Sequence, residues 1–292
     1  MKILIVLLVF CSPFVFGFSQ TDSIVPGPYS AYYENGNIKL EGTYSEKKDR
    51  EGKWQHYFSD GKVQKIENYK RGSLVGEYKE FFPSGNIKVE GNYSPFQTKK
   101  EGVWKEFYEN GQLQFQAQYH SGELCGIYLM YYVNGNVSLK GEYDYFKNTK
   151  RGDWIEYYED GSIKKEEFYN SKGILEKQSI EYYMNGKIKQ IGEHDFVTGK
   201  KDGKWTVFYE TGDTMSVSYF RKGLQVGEHK EFHENGKTKI TCTYNFSGQL
   251  NGEYHEMDSE GATISKGNYT EGEKTGKWIE TNELGEIKKV KY

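Results

Sequence analysis

The chain has 292 residues, and its apolar content is unusually aromatic, with 26 Tyr, 17 Phe and 5 Trp beside 34 Gly and only 5 Pro. An ordinary globular domain is richer in aliphatic residues, and a disordered chain lacks the aromatics, so neither class fits. The net charge of −3 provides no general attraction to nucleic acid or anionic lipid, although local basic rows are compatible with it.

Residues 1–19 have the form of a secretory signal, in which one lysine precedes a short apolar run. Small residues, Gly17 and Ser19, occupy the positions that signal cleavage after residue 19 requires. The apolar run is too short for a spanning helix, so we expect no membrane span in the mature chain. The signal predicts an exported protein located in the periplasm, on the cell surface or in the medium. A lipid anchor on Cys11 is the alternative, but Phe10 is bulkier than the residue that such processing needs.

A short linker, residues 20–26, precedes a repeat that fills residues 27–292. Glycines recur every 24 to 26 residues in related strings such as YYENGNIK and FFPSGNIK. Counted from each such glycine as position 0, position −9 is also glycine except at Lys177, position −4 is aromatic in nine units, and position +8 is usually Tyr or Phe. The eleven glycines at position 0 are Gly36, Gly61, Gly85, Gly111, Gly135, Gly161, Gly186, Gly212, Gly236, Gly261 and Gly285.

Each unit predicts a β-hairpin. Asn-Gly or Asp-Gly between two alternating runs favours a two-residue turn in which both central residues have positive φ. Residues 113–119, LQFQAQY, alternate strictly, and no helical period occurs in the mature chain. Eleven hairpins supply about 22 strands. The chain is therefore predicted to be an all-β repeat protein whose hairpins form one long twisted antiparallel meander sheet, on the order of 100 Å long.

A two-residue turn makes position −3 face +2, −5 face +4, −7 face +6 and −9 face +8. An aromatic −3 would then pack on an aliphatic +2, and a glycine at −9, such as Gly76, would give the ring of Tyr93 room to lie across it. At −7, Trp alternates with Tyr, which predicts a true period near 50 residues. Trp54, Trp104, Trp154 and Trp205 stand in even hairpins, and Tyr29, Tyr78 and Tyr128 oppose Gly42, Gly91 and Gly141 in odd ones.

Two cysteines follow the signal, Cys125 and Cys242. They lie more than four hairpins apart, which is roughly 40 Å along such a sheet. A disulfide tolerates a Cα separation of only about 7 Å. We therefore predict two free thiols, although an oxidising compartment would permit a disulfide.

Strings such as GEYKEFFPSGNIKVEGNY and GKWQHYFSDGKVQKIENY resemble the MORN-repeat-variant family over essentially all of residues 27–292. The resemblance implies a meandering antiparallel sheet that serves as a protein-interaction scaffold. Bacterial members of the family are often labelled toxin–antitoxin system antitoxins, and MORN repeats elsewhere are tied to membranes and to scaffolding.

Glutamate recurs at position −5, and by parity it shares a face with the aromatic residues at −7 and −3. An acidic row between two aromatic rows predicts a groove for a cationic or sugar-like ligand, with rings for stacking and carboxylates for hydrogen bonds. The candidate binding residues are Trp104, Glu106, Tyr108, Trp154, Glu156, Tyr158, Glu181 and Tyr183. The alternative is structural, with each glutamate bonded to a neighbouring Tyr hydroxyl or a cross-strand lysine, as Glu156 with Lys165.

The opposite face is expected to carry the aromatic −4 residues, each facing a lysine at +3, as Tyr157 faces Lys164. Lysine stems lying over these rings would shield them from water. This arrangement indicates that the lysines keep an otherwise exposed aromatic face solvated, rather than that this face binds a ligand.

His229 and His233 flank Glu231 with a spacing that resembles a metal site. They stand at −7 and −3, where other units carry rings, and His194 likewise replaces the +8 tyrosine, so we interpret all three as ring substitutes. No nucleophile elbow, phosphate-binding loop or paired-cysteine motif occurs in the sequence.

These patterns predict an exported, non-enzymatic scaffold, without metal or cofactor, that binds another protein through an extended sheet surface. The alternatives are a glycan or cell-envelope binding module, an antitoxin-like neutralising protein, and a hydrolase that uses the carboxylate row.

Overall fold

The structure, a computed structural model, describes residues 24–282 and 285–292; the predicted signal peptide lies outside them. The described residues form 23 β-strands in one antiparallel sheet, in which every strand pairs with its neighbours along the chain except that β5 and β6 both pair with β4. They contain no helix, hence none that could cross a membrane. The predicted all-β sheet of repeated hairpins is confirmed.

Hairpins 1 to 4 consist of β1 (Gly27–Tyr32) and β2 (Ile38–Tyr44), β3 (Arg50–Tyr57) and β4 (Val63–Lys70), β5 (Ser73–Leu74) with β6 (Gly76–Phe81) and β7 (Ile87–Tyr93), and β8 (Lys100–Phe107) and β9 (Leu113–His120). Hairpins 5 to 8 consist of β10 (Glu123–Tyr131) and β11 (Val137–Tyr143), β12 (Lys150–Tyr157) and β13 (Ile163–Tyr169), β14 (Leu175–Tyr182) and β15 (Ile188–His194), and β16 (Lys201–Phe208) and β17 (Thr214–Arg221). Hairpins 9 to 11 consist of β18 (Leu224–Phe232) and β19 (Thr238–Tyr244), β20 (Gly252–Met257) and β21 (Thr263–Thr270), and β22 (Glu273–Thr281) and β23 (Ile287–Lys291).

One strand position is divided between two short strands. Both β5 and β6 pair with β4, and between them the Val75 N–H donates to the Asn68 carbonyl at 2.8 Å. The 23 strands therefore occupy the positions of eleven hairpins. The last strand, β23, carries Lys288, Lys289 and Lys291, and such charges discourage pairing of an exposed sheet edge with another chain.

The Asn-Gly turns differ from the prediction. In hairpin 1 the Gly36 N–H donates to the Tyr33 carbonyl at 2.9 Å, the Tyr33 N–H donates to the Asn37 carbonyl at 2.8 Å, and within the turn only Gly36 has positive φ, +85°. This is a three-residue loop, a type I turn closed by a glycine bulge. Position −4 consequently pairs with +2, as Tyr32 with Ile38, and the predicted pairing of −3 with +2 is wrong. The pairs −5/+4, −7/+6 and −9/+8 are confirmed.

Two-residue turns with positive φ at both residues do occur, but they join consecutive hairpins at the other ends of the strands. These turns are Arg71-Gly72, Ser121-Gly122, Lys222-Gly223 and Glu271-Gly272. We call this long side of the sheet the linker edge, formed by residues 45–49, 70–73, 94–99, 120–123, 144–149, 170–174, 195–200, 221–224, 245–251 and 270–273. The turn edge is the other long side, formed by the described residues at positions −3 to +1 of each hairpin.

The glycines at −9 serve the backbone and do not seat a ring. Gly76 has a φ of +66°, and a Cβ added there would meet nothing within 4 Å, so the predicted contact with the Tyr93 ring is wrong. The first strand of the hairpin bulges at this position, so that one residue of the preceding strand lies opposite three residues. Lys177, the exception in the sequence, has the same backbone conformation, with a φ of +64°.

Candidate functional site

The core of this single sheet is a series of small aromatic stacks on one face. This face, which we call the ring face, carries positions −7, −5, +4, +6 and +8. In each stack the Trp at −7 lies on a glycine at +6 of the preceding hairpin, where an added Cβ would overlap the indole. The five pairs are Trp54 on Gly42, Trp104 on Gly91, Trp154 on Gly141, Trp205 on Gly192 and Trp278 on Gly267.

Trp104 illustrates how each stack is closed. Its indole N–H donates to the Asn92 carbonyl at 3.0 Å. The Tyr78 and Tyr93 rings lie with their centroids 5.6 and 5.1 Å from its own, and Lys100 Nζ lies 4.3 Å from its ring centroid. Rings, backbone and a lysine therefore enclose the indole, and the glycine at +6 makes that close approach possible.

The two tryptophans among the predicted binding residues are part of this core. Trp104 is 2% exposed and Trp154 is 3% exposed, so neither ring presents a face for a ligand to stack on. The alternation of Trp with Tyr at −7, which predicted a period near 50 residues, is thus the alternation of buried and flanking rings within the stacks.

The predicted tyrosines at −3 tie consecutive hairpins together. Each hydroxyl donates to the backbone carbonyl of the −4 residue in the next hairpin, at 2.8 Å from Tyr108 and at 2.7 Å from both Tyr158 and Tyr183. In hairpin 9, His233 Nε2 lies 2.9 Å from the Met257 carbonyl in the same geometry. The interpretation of His233 as a ring substitute is therefore confirmed.

The glutamates at −5 mostly form ion pairs with the lysine at +3 of their own hairpin. Glu156 lies 3.4 Å from Lys164, and Glu181 lies 2.8 Å from Lys189. The prediction that these lysines cover the −4 rings is therefore wrong, because +3 is an extra residue in the bulged strand beside −5. Glu156 does stand opposite Lys165 in register, as predicted, but the ammonium of Lys165 pairs with Glu167 instead.

Glu106 differs from Glu156 and Glu181 in having no lysine partner in the described part of the chain. It is half-buried and, within the described residues, makes no ion pair or side-chain hydrogen bond. The eight predicted residues thus divide into two core rings, three tyrosine ties, two lysine-paired glutamates and one free carboxylate. Whether they bind a ligand stays a prediction.

A buried carboxylate that the sequence interpretation missed lies at +6 of hairpin 2. Glu67 is 6% exposed and lies 2.8 Å from Lys65 Nζ, 3.0 Å from His56 Nε2 and 3.1 Å from the Tyr69 hydroxyl. Burial raises the pKa of Glu67, but the hydrogen bonds and charges of Lys65 and then His56 outweigh it and hold that pKa below the usual value. Burial, and then the charge of Lys65, lowers the pKa of His56. This closed cluster is structural, and its signal in the sequence was a glutamate at a position that holds glycine in hairpins 1, 3, 5 and 7.

The opposite face of the sheet carries positions −8, −6, +5 and +7, and its central row changes character along the chain. In hairpins 2 to 4 this row holds Gln55, Ile66, Lys79, Glu90, Lys105 and Gln116. In hairpins 6 to 8 it contains four half-buried aliphatic residues, Ile155, Ile180, Ile191 and Val217, which we call the aliphatic ladder. Only Glu166 and Thr206 interrupt this row between β12 and β17.

The two long edges carry opposite charge. Of the described residues on the turn edge, eleven are acidic: Glu34, Asp60, Glu109, Glu159, Asp160, Glu210, Asp213, Glu234, Asp258, Glu260 and Glu286. Three residues on that edge are basic: Lys62, Lys187 and Lys237. On the linker edge ten residues are basic: Lys47, Lys48, Lys70, Arg71, Lys99, Lys147, Lys172, Lys200, Arg221 and Lys222. Seven residues there are acidic: Glu46, Asp49, Glu123, Asp144, Asp195, Glu271 and Glu273.

The linker edge also carries a row of exposed phenylalanines. Phe96, Phe146, Phe196 and Phe246 recur every 50 residues and are 90%, 88%, 67% and 77% exposed. They stand in the longer loops that follow odd hairpins. Both thiols lie within strands, Cys125 in β10 and Cys242 in β19. They are free, as predicted, and both are buried.

A family model for the MORN repeat variant matches residues 26–46, 50–71, 74–94, 100–121, 150–171 and 225–246. The chain carries MORN repeat variants. Each matched MORN repeat variant coincides with one hairpin, namely hairpins 1, 2, 3, 4, 6 and 9. The other five hairpins have the same strand pairing, so the MORN repeat variant and the hairpin are the same structural unit.

No curated protein matches the chain. Among solved structures, the crystal structure of TcdB2-TccC3-Cdc42 is 12% identical, with a TM-score of 0.21 over 91% of this chain and 14% of that chain. CbpJ from Streptococcus pneumoniae is 16% identical, with a TM-score of 0.17 over 89% of this chain and 100% of that chain. Similarity at this level supports no functional inference.

Proposed function

We propose that this protein is an exported, non-enzymatic scaffold that binds another protein through its extended sheet, with the aliphatic ladder as the contact surface. The proposal rests on one observation. The aliphatic ladder places four aliphatic side chains in a row on a face that no second layer of the described chain covers. The MORN repeat variants and the signal-like residues 1–19 support the scaffold and export parts of the proposal.

The two faces differ in what they offer a partner. On the ring face the indoles are enclosed and most −5 glutamates are already paired, so little binding free energy is available there. On the opposite face the ladder is flanked by the −4 rings Tyr157, Tyr182 and Phe208. An apolar strip with polar ends is the usual composition of a protein interface, and rigid repeats gain affinity from the length of the contact.

The experiment is a crosslinking pull-down from envelope extract of the native host, with wild-type protein, an I180K/I191K variant and a Q55K/Q116K control. The control introduces the same charges at the same row of the sheet, in hairpins 2 and 4. We expect I180K/I191K to lose the crosslinked partner and Q55K/Q116K to retain it, while thermal unfolding shows that both variants are folded. Equal recovery by all three proteins would contradict the ladder as the contact surface.

The ring-face groove is tested in the same experiment. Changing Glu106, Glu156 and Glu181 together to Gln should leave recovery of the partner unchanged, because two of these carboxylates are engaged by lysine. Retention of wild-type protein on insoluble glycan that disappears in this triple variant would favour the glycan-binding alternative.

A further inference from the structure

The row of exposed phenylalanines on the linker edge has no role in the core or in the aliphatic ladder. Hydrogen bonds within two of their loops fix the loop backbone while the rings remain exposed to solvent. The Phe146 N–H donates to Asp144 Oδ1 at 3.0 Å, and the Phe96 N–H donates to Ser94 Oγ at 3.3 Å. Side-chain bonds of this kind fix a turn locally, so the rings are presented by ordered loops without further folding.

The turn edge carries its own exposed apolar residues at a matching interval. Val133 and Met184 occupy position −2 of hairpins 5 and 7, and they are 53% and 59% exposed. Phe146 and Phe196 stand in the loops that follow those same hairpins, so both pairs are separated by two hairpins, or about 19 Å. Every copy of the chain has the same sheet. The spacing of the two phenylalanines on one copy therefore matches the spacing of Val133 and Met184 on a second copy that lies parallel to it.

Charge complementarity identifies the occupant. The turn edge has a large excess of carboxylates, and the linker edge has an excess of cations. None of the ten basic residues of the linker edge forms an ion pair with its own chain within the described residues. The surface that best complements a basic row with phenylalanines at this interval is the acidic turn edge of a second copy, which has apolar residues at the same interval.

We propose that copies of this chain associate side by side, with the linker edge of one copy against the turn edge of the next. In this arrangement Phe146 and Phe196 of one copy pack on Val133 and Met184 of its neighbour. The two surfaces are different, so the contact is head-to-tail and leaves a free edge on each side, which extends the assembly into open rows. The aliphatic ladder stays accessible on the face of every copy.

The test is sedimentation velocity of the full-length mature protein over a range of concentrations, at low salt and at about 0.5 M salt, where the Debye length falls to a few ångströms. Wild-type protein should form oligomers that grow with concentration and dissociate at high salt. F146S/F196S and V133S/M184S should each weaken self-association by at least about tenfold. The control V103S/I127S, which removes exposed apolar residues from the opposite face, should behave like wild type.

Mixing the two edge variants gives the sharpest outcome. Each variant keeps the edge that the other has lost, so an equimolar mixture should form a one-to-one dimer and nothing larger. A wild-type protein that is monomeric at its highest soluble concentration would overturn the proposal, as would a mixture that stays monomeric. Binding of wild-type monomer to anionic vesicles that disappears in F146S/F196S would assign the row to lipid and also overturn it.

Discussion

The junctions between consecutive hairpins are of two kinds, and they stabilise the sheet by different means. At five junctions a tryptophan lies on a glycine of the preceding hairpin, as Trp104 on Gly91. At the other five the facing residues vary: three junctions are polar, as Glu67 beside Tyr78 or Ser218 beside His229, and two place Ala117 beside Tyr128 and Cys242 beside Tyr254. The tryptophan junctions gain their stability from burial of a large ring, and the polar junctions from hydrogen bonds and ion pairs.

In the C-terminal part of the chain, tryptophan junctions and long linker loops no longer occur together. Four tryptophan junctions also have a long linker loop, but Trp278 lies on Gly267 across the tight turn Glu271-Gly272. The junction between hairpins 9 and 10 has a long loop, residues 245–251, and no tryptophan. The packing of Trp on Gly therefore depends on the two facing strands and not on how the chain connects them.

The largest expected effect is at the tryptophan junction of hairpins 3 and 4. Trp104→Ala should lower the free energy of unfolding by about 3–5 kcal/mol, because it empties an enclosed site. Gly91→Ala should be strongly destabilising as well, since its Cβ overlaps the indole. Urea unfolding with hydrogen exchange of the β7 and β8 amides measures both. Ala117→Gly at the next junction is the control, expected to cost about 1 kcal/mol; equal costs at both junctions would remove the distinction between them.

The polar junction of hairpins 2 and 3 should be the pH-sensitive one. Glu67→Gln should cost about 2 kcal/mol, because it removes the charged acceptor of Lys65 and His56. Glu67 has a lowered pKa when folded, so its contribution is complete above the unfolded pKa of about 4.3 and is lost as the pH falls through the folded value.

His56 acts in the same direction at higher pH. Its pKa is also lowered on folding, so the unfolded state takes up a proton first as the pH falls through about 6.5, and stability decreases. Urea unfolding between pH 7 and pH 5 should therefore show a smaller loss of stability in His56→Gln than in wild type. Identical slopes for the two proteins would show that this junction does not titrate.

The smallest effect is expected at the −3 tyrosines, whose hydroxyls form hydrogen bonds across both kinds of junction. Tyr132 and Tyr158 each donate to a backbone carbonyl of the next hairpin at 2.7 Å, across a tryptophan junction and a polar junction respectively. Tyr132→Phe and Tyr158→Phe should each cost about 1 kcal/mol in urea unfolding. Tyr32→Phe, which removes an exposed hydroxyl without a partner among the described residues, is the control and should have no measurable effect.

The repeat, the meander and the pairing of −7 with +6 could be predicted from the sequence, because these features follow from the spacing of the glycines and the alternation of apolar and polar residues. The turn type was not accessible, since Asn-Gly suits both the two-residue turn and the loop closed by a glycine bulge. The role predicted for the glycines at −9 was wrong because two kinds of glycine look the same in a sequence. One kind, such as Gly76, is needed for its positive φ, and the other makes room for a neighbouring side chain. Lys177 was the available clue, since a side chain at that position argues against a ring lying across it.

The predicted ring-face groove depends on rings and carboxylates whose surroundings the sequence does not show. Counting aromatic and acidic residues identified the ring face, but a count cannot show that Trp154 is enclosed or that Glu181 is already paired. The aliphatic ladder was missed because Ile180 and Ile191 belong to rows whose members lie about 25 residues apart and hold polar residues elsewhere. Their significance appears only when register brings them side by side.

The meander order of the strands also determines how the chain can acquire its structure. Each strand after β1 finds its first partner immediately before it in the chain, or in the case of β6 just across the two-residue β5, so no part of the sheet has to wait for a distant segment. Folding limited by such local contacts is fast, and it can advance from the N-terminus while later residues are still being made. Only β1 and the most recently added strand then expose unpaired backbone groups, so a growing chain can mispair at one fixed edge and at one edge that advances with synthesis.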